Sequence, residues 1–88
     1  MPNKNKKALK SGTHLKIMLF FRDNQGSIDT ARGISTWTNE NIHQVRKALE
    51  ELVKNGLLKA DRTPSTVGYS CALTQKELAS LVAEFTPS

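Results

Sequence analysis

The sequence predicts a small α+β domain, mainly helical, in the order helix, short strand, short helix, long helix, β-hairpin, helix. Three observations carry this. Residues 39–58, NENIHQVRKALEELVKNGLL, repeat apolar side chains at helical spacing. Two short alternating runs flank the turn-rich stretch from Thr63 to Gly68. Thr74-Gln75-Lys76-Glu77 then heads a last amphipathic segment with a complete capping box.

The long helix is the most strongly patterned stretch. Ile42, Val45, Leu49, Leu52 and Val53 fall on one side with Ala48 at its edge, and that side is core. Glu40, His43, Gln44, Lys47, Glu51 and Lys54 fall opposite, with Arg46 on the flank. The front of the exposed side donates hydrogen bonds, whereas Glu50 and Glu51 further along would be repelled by a polyanion. Thr38, Asn39 and Asn41 all suit the N-cap, and Asn41 with Gln44 makes a capping box. Asn55-Gly56 supplies a left-handed stop.

Before it, Thr13 can cap a first helix that runs to Asp23 or Asn24. Its interior carries two apolar stripes, Leu15, Met18 and Leu19 on one side and Ile17, Phe20 and Phe21 on another. A surface helix needs one stripe, so the second implies a helix central to its own core or a patch covered by another chain. Residues 26–29 read as a very short extended piece, and Asp29 or Thr30 caps a short helix to Ser35. Residues 35–38 turn the chain into the long helix, with Trp37 expected to pack at the joint rather than to touch a ligand.

After Gly56, Leu58 and Ala60 alternate on one side and Tyr69, Cys71 and Leu73 on another, with Pro64 in the loop between them. Leu78, Leu81, Val82 and Phe85 continue the last helix. Cys71 is expected as a small buried apolar residue.

With 88 residues the chain is read as one domain, 13–86, preceded by a flexible basic arm, Met1 to Gly12. That arm is either a solubilising terminus or a strand that lies along phosphates. It holds Lys4, Lys6, Lys7 and Lys10 of a net charge of +5, leaving nine basic and eight acidic residues from Thr13 onwards. An anionic partner would therefore be attracted by the arm and held in register by Arg32, Arg46, Lys47, Lys59 and Arg62. No apolar run is long enough for a membrane span and no signal peptide is apparent, so the expected location is cytoplasmic. One cysteine and two histidines offer no disulfide and no metal-ligand spacing, and no cofactor is expected. No nucleophile-base pair, paired carboxylates or glycine-rich phosphate loop suggests an enzyme.

The run VRKALEELVKNGLLKADR, from Val45 to Arg62, and YSCALT, from Tyr69 to Thr74, resemble the winged helix-turn-helix family of transcription regulators, particularly its MarR-like and GntR-like DNA-binding domains. The first looks like the end of a recognition helix entering a wing strand, the second like the strand returning to the last helix. The resemblance implies a DNA-binding transcriptional regulator, repressor-like, with helix 39–55 in the major groove and hairpin 57–73 as the wing. It also implies a homodimer, here through the first or last helix. By position, the base-contacting slots fall on His43, Gln44 and Lys47, with Arg46 beside them and Asn41 at the cap. Arg32, Thr38 and the wing residues Arg62, Thr63 and Ser65 complete the expected DNA-binding set. Chemistry agrees, since Gln44 can pair with adenine and Lys47 with guanine or phosphate. This wing has one basic residue, Arg62, and the second helix is short. The other reading is therefore a winged-helix protein-interaction module, or a phage or plasmid accessory protein with weak DNA binding. No effector pocket is expected in so short a body.

Overall fold

A computed structural model of the chain describes residues 12–84. The arm expected over Met1 to Gly12 lies outside them except for Gly12, as does the expected helical contribution of Phe85.

The first helix, α1 (Gly12–Asp23), is helical from the first described residue, so Thr13 lies within it rather than at its cap. It packs against three other helices, which explains its two apolar stripes. Ile17, Met18, Phe20 and Phe21 are all buried in the chain's own core, with Leu15 and Leu19 half-buried at its margin. The reading of these side chains as a patch covered by another chain is corrected accordingly. The helix closes where the Asn24 side-chain amide donates to Phe20 O at 2.8 Å and Gly26 turns with φ of 77°.

The expected extended piece is reduced to one residue. Asp29 and Tyr69 exchange both backbone hydrogen bonds, at 3.0 and 2.7 Å, as an isolated antiparallel bridge. Thr30 then caps α2 (Ala31–Thr38), its side chain accepting from Gly33 N. This helix runs three residues past its expected end at Ser35, and the turn begins at Asn39, in the left-handed region with φ of 57°. Tertiary packing extends it. Ile34 and Thr38, four apart, are both buried, and Trp37 meets the ring of Phe20 edge-on at 5.2 Å.

The long helix, α3, spans Ile42–Lys54, so its start lies three residues after the expected boundary at Asn39. Asn41 is the cap, but its side chain accepts from His43 N at 2.8 Å, not from Gln44. Val45, Ala48, Leu49 and Leu52 form the buried side as expected. Glu40 falls in the turn and ion-pairs with Lys16 at 3.2 Å. At the stop, Leu57 N bonds Leu52 O at 2.9 Å and Gly56 N bonds Val53 O at 3.0 Å, with φ of 80° at Gly56. This is a Schellman closure sealed by two buried leucines.

The hairpin consists of β1 (Leu58–Arg62) and β2 (Val67–Cys71). Leu58 pairs with Cys71, Ala60 with Tyr69 and Arg62 with Val67. Directly opposed residues share a face, so the two alternating sets expected on different sides lie together towards the core. The loop is closed by Thr63, whose N–H and hydroxyl both donate to Thr66 O. The last helix, α4 (Gln75–Ala83), carries the expected box: Thr74 accepts from Glu77 N, and Glu77 accepts from Thr74 N at 2.9 Å. Leu78, Leu81 and Val82 close the core against α1.

No helix among the described residues is long and apolar enough to cross a membrane.

Candidate nucleic-acid interface

The surface of α3 divides along its length. His43, Lys47, Glu50 and Lys54 follow one another at spacings of three or four along an exposed ridge. Gln44 and Lys47 face a cleft towards the start of α1, shared with Thr13, His14 and Glu51. Arg46 and Glu50 face a second cleft, of about 510 Å³, between α3, the start of α2 and the hairpin. Arg32, Ser65 and Thr66 line that second cleft as well.

Residues far apart in sequence are thus brought together. Arg32 on α2, Arg46 on α3 and Ser65 at the loop tip surround one depression, with Asn41, His43, Gln44 and Lys47 exposed at the front of α3. Arg62 is exposed on the hairpin face that carries Ala60 and Tyr69, two pairs nearer the tip. Two of the expected residues stand differently. Thr38 is 6% exposed, and its hydroxyl donates to Ile34 O at 2.8 Å, so burial removes it from the candidate surface. Thr63 is exposed, but its hydroxyl is engaged in closing the loop, where it accepts from Thr66 N and donates to Thr66 O.

Sequence reasoning missed Glu50 as a member of this cleft. Its spacing of four from Arg46 was the available signal, because that spacing puts both on one side of a helix. A carboxylate lining the same cleft as two arginines narrows the space in which an anion is welcome. Trp37 was expected inside the joint and is instead 47% exposed. Its ring touches Phe20 by one edge only.

Charge pairing distinguishes α1 from the helices and hairpin that follow it. On α1, Lys16 is held by Glu40 and Arg22 by its neighbour Asp23, at 3.2 and 3.1 Å. Among the described residues Arg32, Arg46, Lys47, Lys59 and Arg62 form no ion pair, so their charge is offered outwards. Such a set can hold phosphate oxygens, while the amide of Gln44 and the imidazole of His43 can bond base edges.

No protein-family model and no curated protein sequence matches this chain. Solved structures do. The solution structure of the homodimeric winged helix-turn-helix DNA-binding domain of Mb0332 from Mycobacterium bovis, described as a possible ArsR-family transcriptional regulator, has a TM-score of 0.68 and 26% identity. The match covers 92% of this chain and 70% of that one. The crystal structure of a possible transcriptional regulatory protein from the same organism scores 0.71 at 26% identity, over 92% and 82% of the two chains. Reduced HlyU from Vibrio cholerae scores 0.68 at 19% identity, over 90% and 78%.

This chain is a winged helix-turn-helix domain. In winged-helix terms α2 and α3 are the helix-turn-helix, with residues 39–41 as the turn, and residues 58–71 are the wing. The Asp29 bridge to Tyr69 ties the wing to the start of α2, which sets the distance between Arg32 and the wing tip. The winged-helix expectation from sequence stands, with the boundaries of α2 and α3 corrected as above.

Proposed function

We propose that this winged-helix domain binds double-stranded DNA in a sequence-specific manner and acts as a small, repressor-like transcriptional regulator that occludes its site. The front of α3 enters the major groove, where Gln44, Lys47 and His43 read bases and Asn41 lies at the groove edge. Arg32, Arg46, Arg62 and Ser65 hold the flanking phosphates, and the basic arm of residues 1–11 adds sequence-independent attraction.

What supports this above all is the distribution of cations. Those of α1 are neutralised within the chain, whereas Arg32, Arg46, Lys47, Lys59 and Arg62 form no ion pair among the described residues, and Arg32 and Arg46 line one cleft with Ser65 of the wing loop. The DNA-binding and homodimeric character of the Mb0332 domain points the same way. A homodimer of this chain would use the exposed margins of α1 or α4. Burial of Ile17, Phe20 and Phe21 takes the apolar stripes of α1 out of use as a surface for a protein-interaction module.

Fluorescence anisotropy of labelled random-sequence duplex at two salt concentrations tests the proposal. Binding that weakens steeply with salt is expected, and it would justify selecting the preferred site. Absence of binding at low salt would overturn the DNA assignment.

A further inference from the structure

A cavity of about 340 Å³ lies at the base of the wing, between the end of α1, β2 and α4. Its lining is mixed: Phe21, Ile28, Cys71 and Leu78 are apolar, and two serines join the exposed Gln25 and Gln75. None of the side chains that line it is charged. Three other clefts each carry charged side chains: Lys76 and Glu77 in one, Arg32, Arg46 and Glu50 in the second, Lys47 and Glu51 in the third. Mostly apolar walls with a few convergent polar groups are what small-molecule sites show, typically at roughly 300–1,000 Å³.

We infer that this cavity is a binding site for a small, neutral, single-ring molecule bearing a carboxamide or lactam. The lining sets each part of that description. An ion would lose its hydration and find no opposite charge, so the ligand is neutral. The Phe21 ring and the polarizable Cys71 sulfur offer contacts that suit an aromatic ring. The Gln75 side-chain amide donates to the Gln25 side-chain oxygen. A carboxamide can enter that bond, donating to Gln25 and accepting from Gln75, so both groups remain satisfied. The driving force is supplied by Ile28, which is 68% exposed although it is a large apolar side chain.

Occupancy would be felt in the wing. A Cβ placed on Gly68 would lie 2.8 Å from Ile28 Cγ2, so the isoleucine rests directly on the β2 glycine. The next residue, Asp29, is bridged to Tyr69. A ligand pressing on Ile28 therefore acts on the residues that set the wing's position, which runs counter to the expectation of no effector pocket.

Titration of the methyl-labelled full chain with benzamide, followed by NMR without DNA, tests the site independently of the DNA proposal. Saturable shifts are expected at the Ile28 and Leu78 methyls and at the Gly68 to Ser70 amides, with a Kd on the order of 1 mM for so small a probe. Benzoate, of the same shape but charged, should bind at least about tenfold more weakly. Cys71→Met, which fills the cavity, should remove the benzamide shifts while the thermal melt stays cooperative. If that variant does not fold, Ser27→Leu at the cavity's mouth replaces it. Absence of saturable shifts at Ile28 and Leu78, equal binding of benzoate, or unchanged shifts in the filled variant would overturn the inference.

Discussion

The carboxylate of Asp29 fills the space above Gly33 that any larger side chain there would need. Its Oδ1 also accepts from Thr30 N at 2.8 Å, at the very start of α2, where a negative charge is favoured by the helix dipole. The glycine weakens α2 as an isolated helix, and it leaves room for the Asp29 carboxylate while the Asp29 backbone holds Tyr69 of the wing. One pair of residues thus joins the helix-turn-helix to the wing.

Gly33→Ala should therefore destabilise the domain by about 1–3 kcal/mol, although alanine is the better helix former. Adding Asp29→Ala should recover part of the loss, since the collision disappears. Urea denaturation of both single variants and the double variant measures this coupling; strict additivity would mean that the two side chains do not meet.

Gln44→Ala with Lys47→Ala should abolish preference for the selected DNA site. Both side chains are exposed, so the melting free energy should stay within about 0.5 kcal/mol of the parent. A shift assay against the selected duplex, paired with a thermal melt, checks both halves. Retained specificity in the double variant would remove α3 as the reading element.

Deleting residues 1–11 should weaken binding to every sequence alike. Four lysines go with it, so the slope of log K against log salt should fall by up to about four. Titrations of specific and random duplex at several salt concentrations measure this. A change in the ratio between the two duplexes would contradict a purely electrostatic arm.

Glu77 should give the domain a component of acid sensitivity. The Thr74 backbone N–H and then the Thr74 hydroxyl hold its carboxyl below the ordinary value of 4.5. With the folded value depressed, this contribution is fully present above pH 4.5 and is lost as pH falls through the lower folded value. Glu77→Gln should flatten stability against pH in that acid window and lower it at neutrality, since the contribution of the ionised carboxylate is then missing. Chemical denaturation at stepped pH compares the two chains.

Trp37 should be open to water. Half-exposed and touching Phe20 by an edge, it should be quenched readily by acrylamide in the DNA-free protein. Strong protection would show that a second copy covers this corner of α2.

Much of the architecture follows from local rules. The apolar spacing of Val45, Leu49 and Leu52, the Gly56 stop and the Thr74–Glu77 box each specify an element with little help from elsewhere, because helical period, positive φ and cap chemistry act over a few residues. The exposed front of α3 was legible for the same reason. What only the tertiary structure decided depends on contacts between distant segments. Ser35 to Thr38 are helical because Ile34, Trp37 and Thr38 pack on neighbours, not because their propensity is high. Both stripes of α1 are buried because three helices surround it, which its own pattern could not distinguish from a contact with another chain. The grouping of Arg32, Arg46 and Ser65 arises where α2, α3 and the wing meet, and the uncharged cavity beside Ile28 where α1, β2 and α4 meet, at separations over which sequence periodicity carries no information.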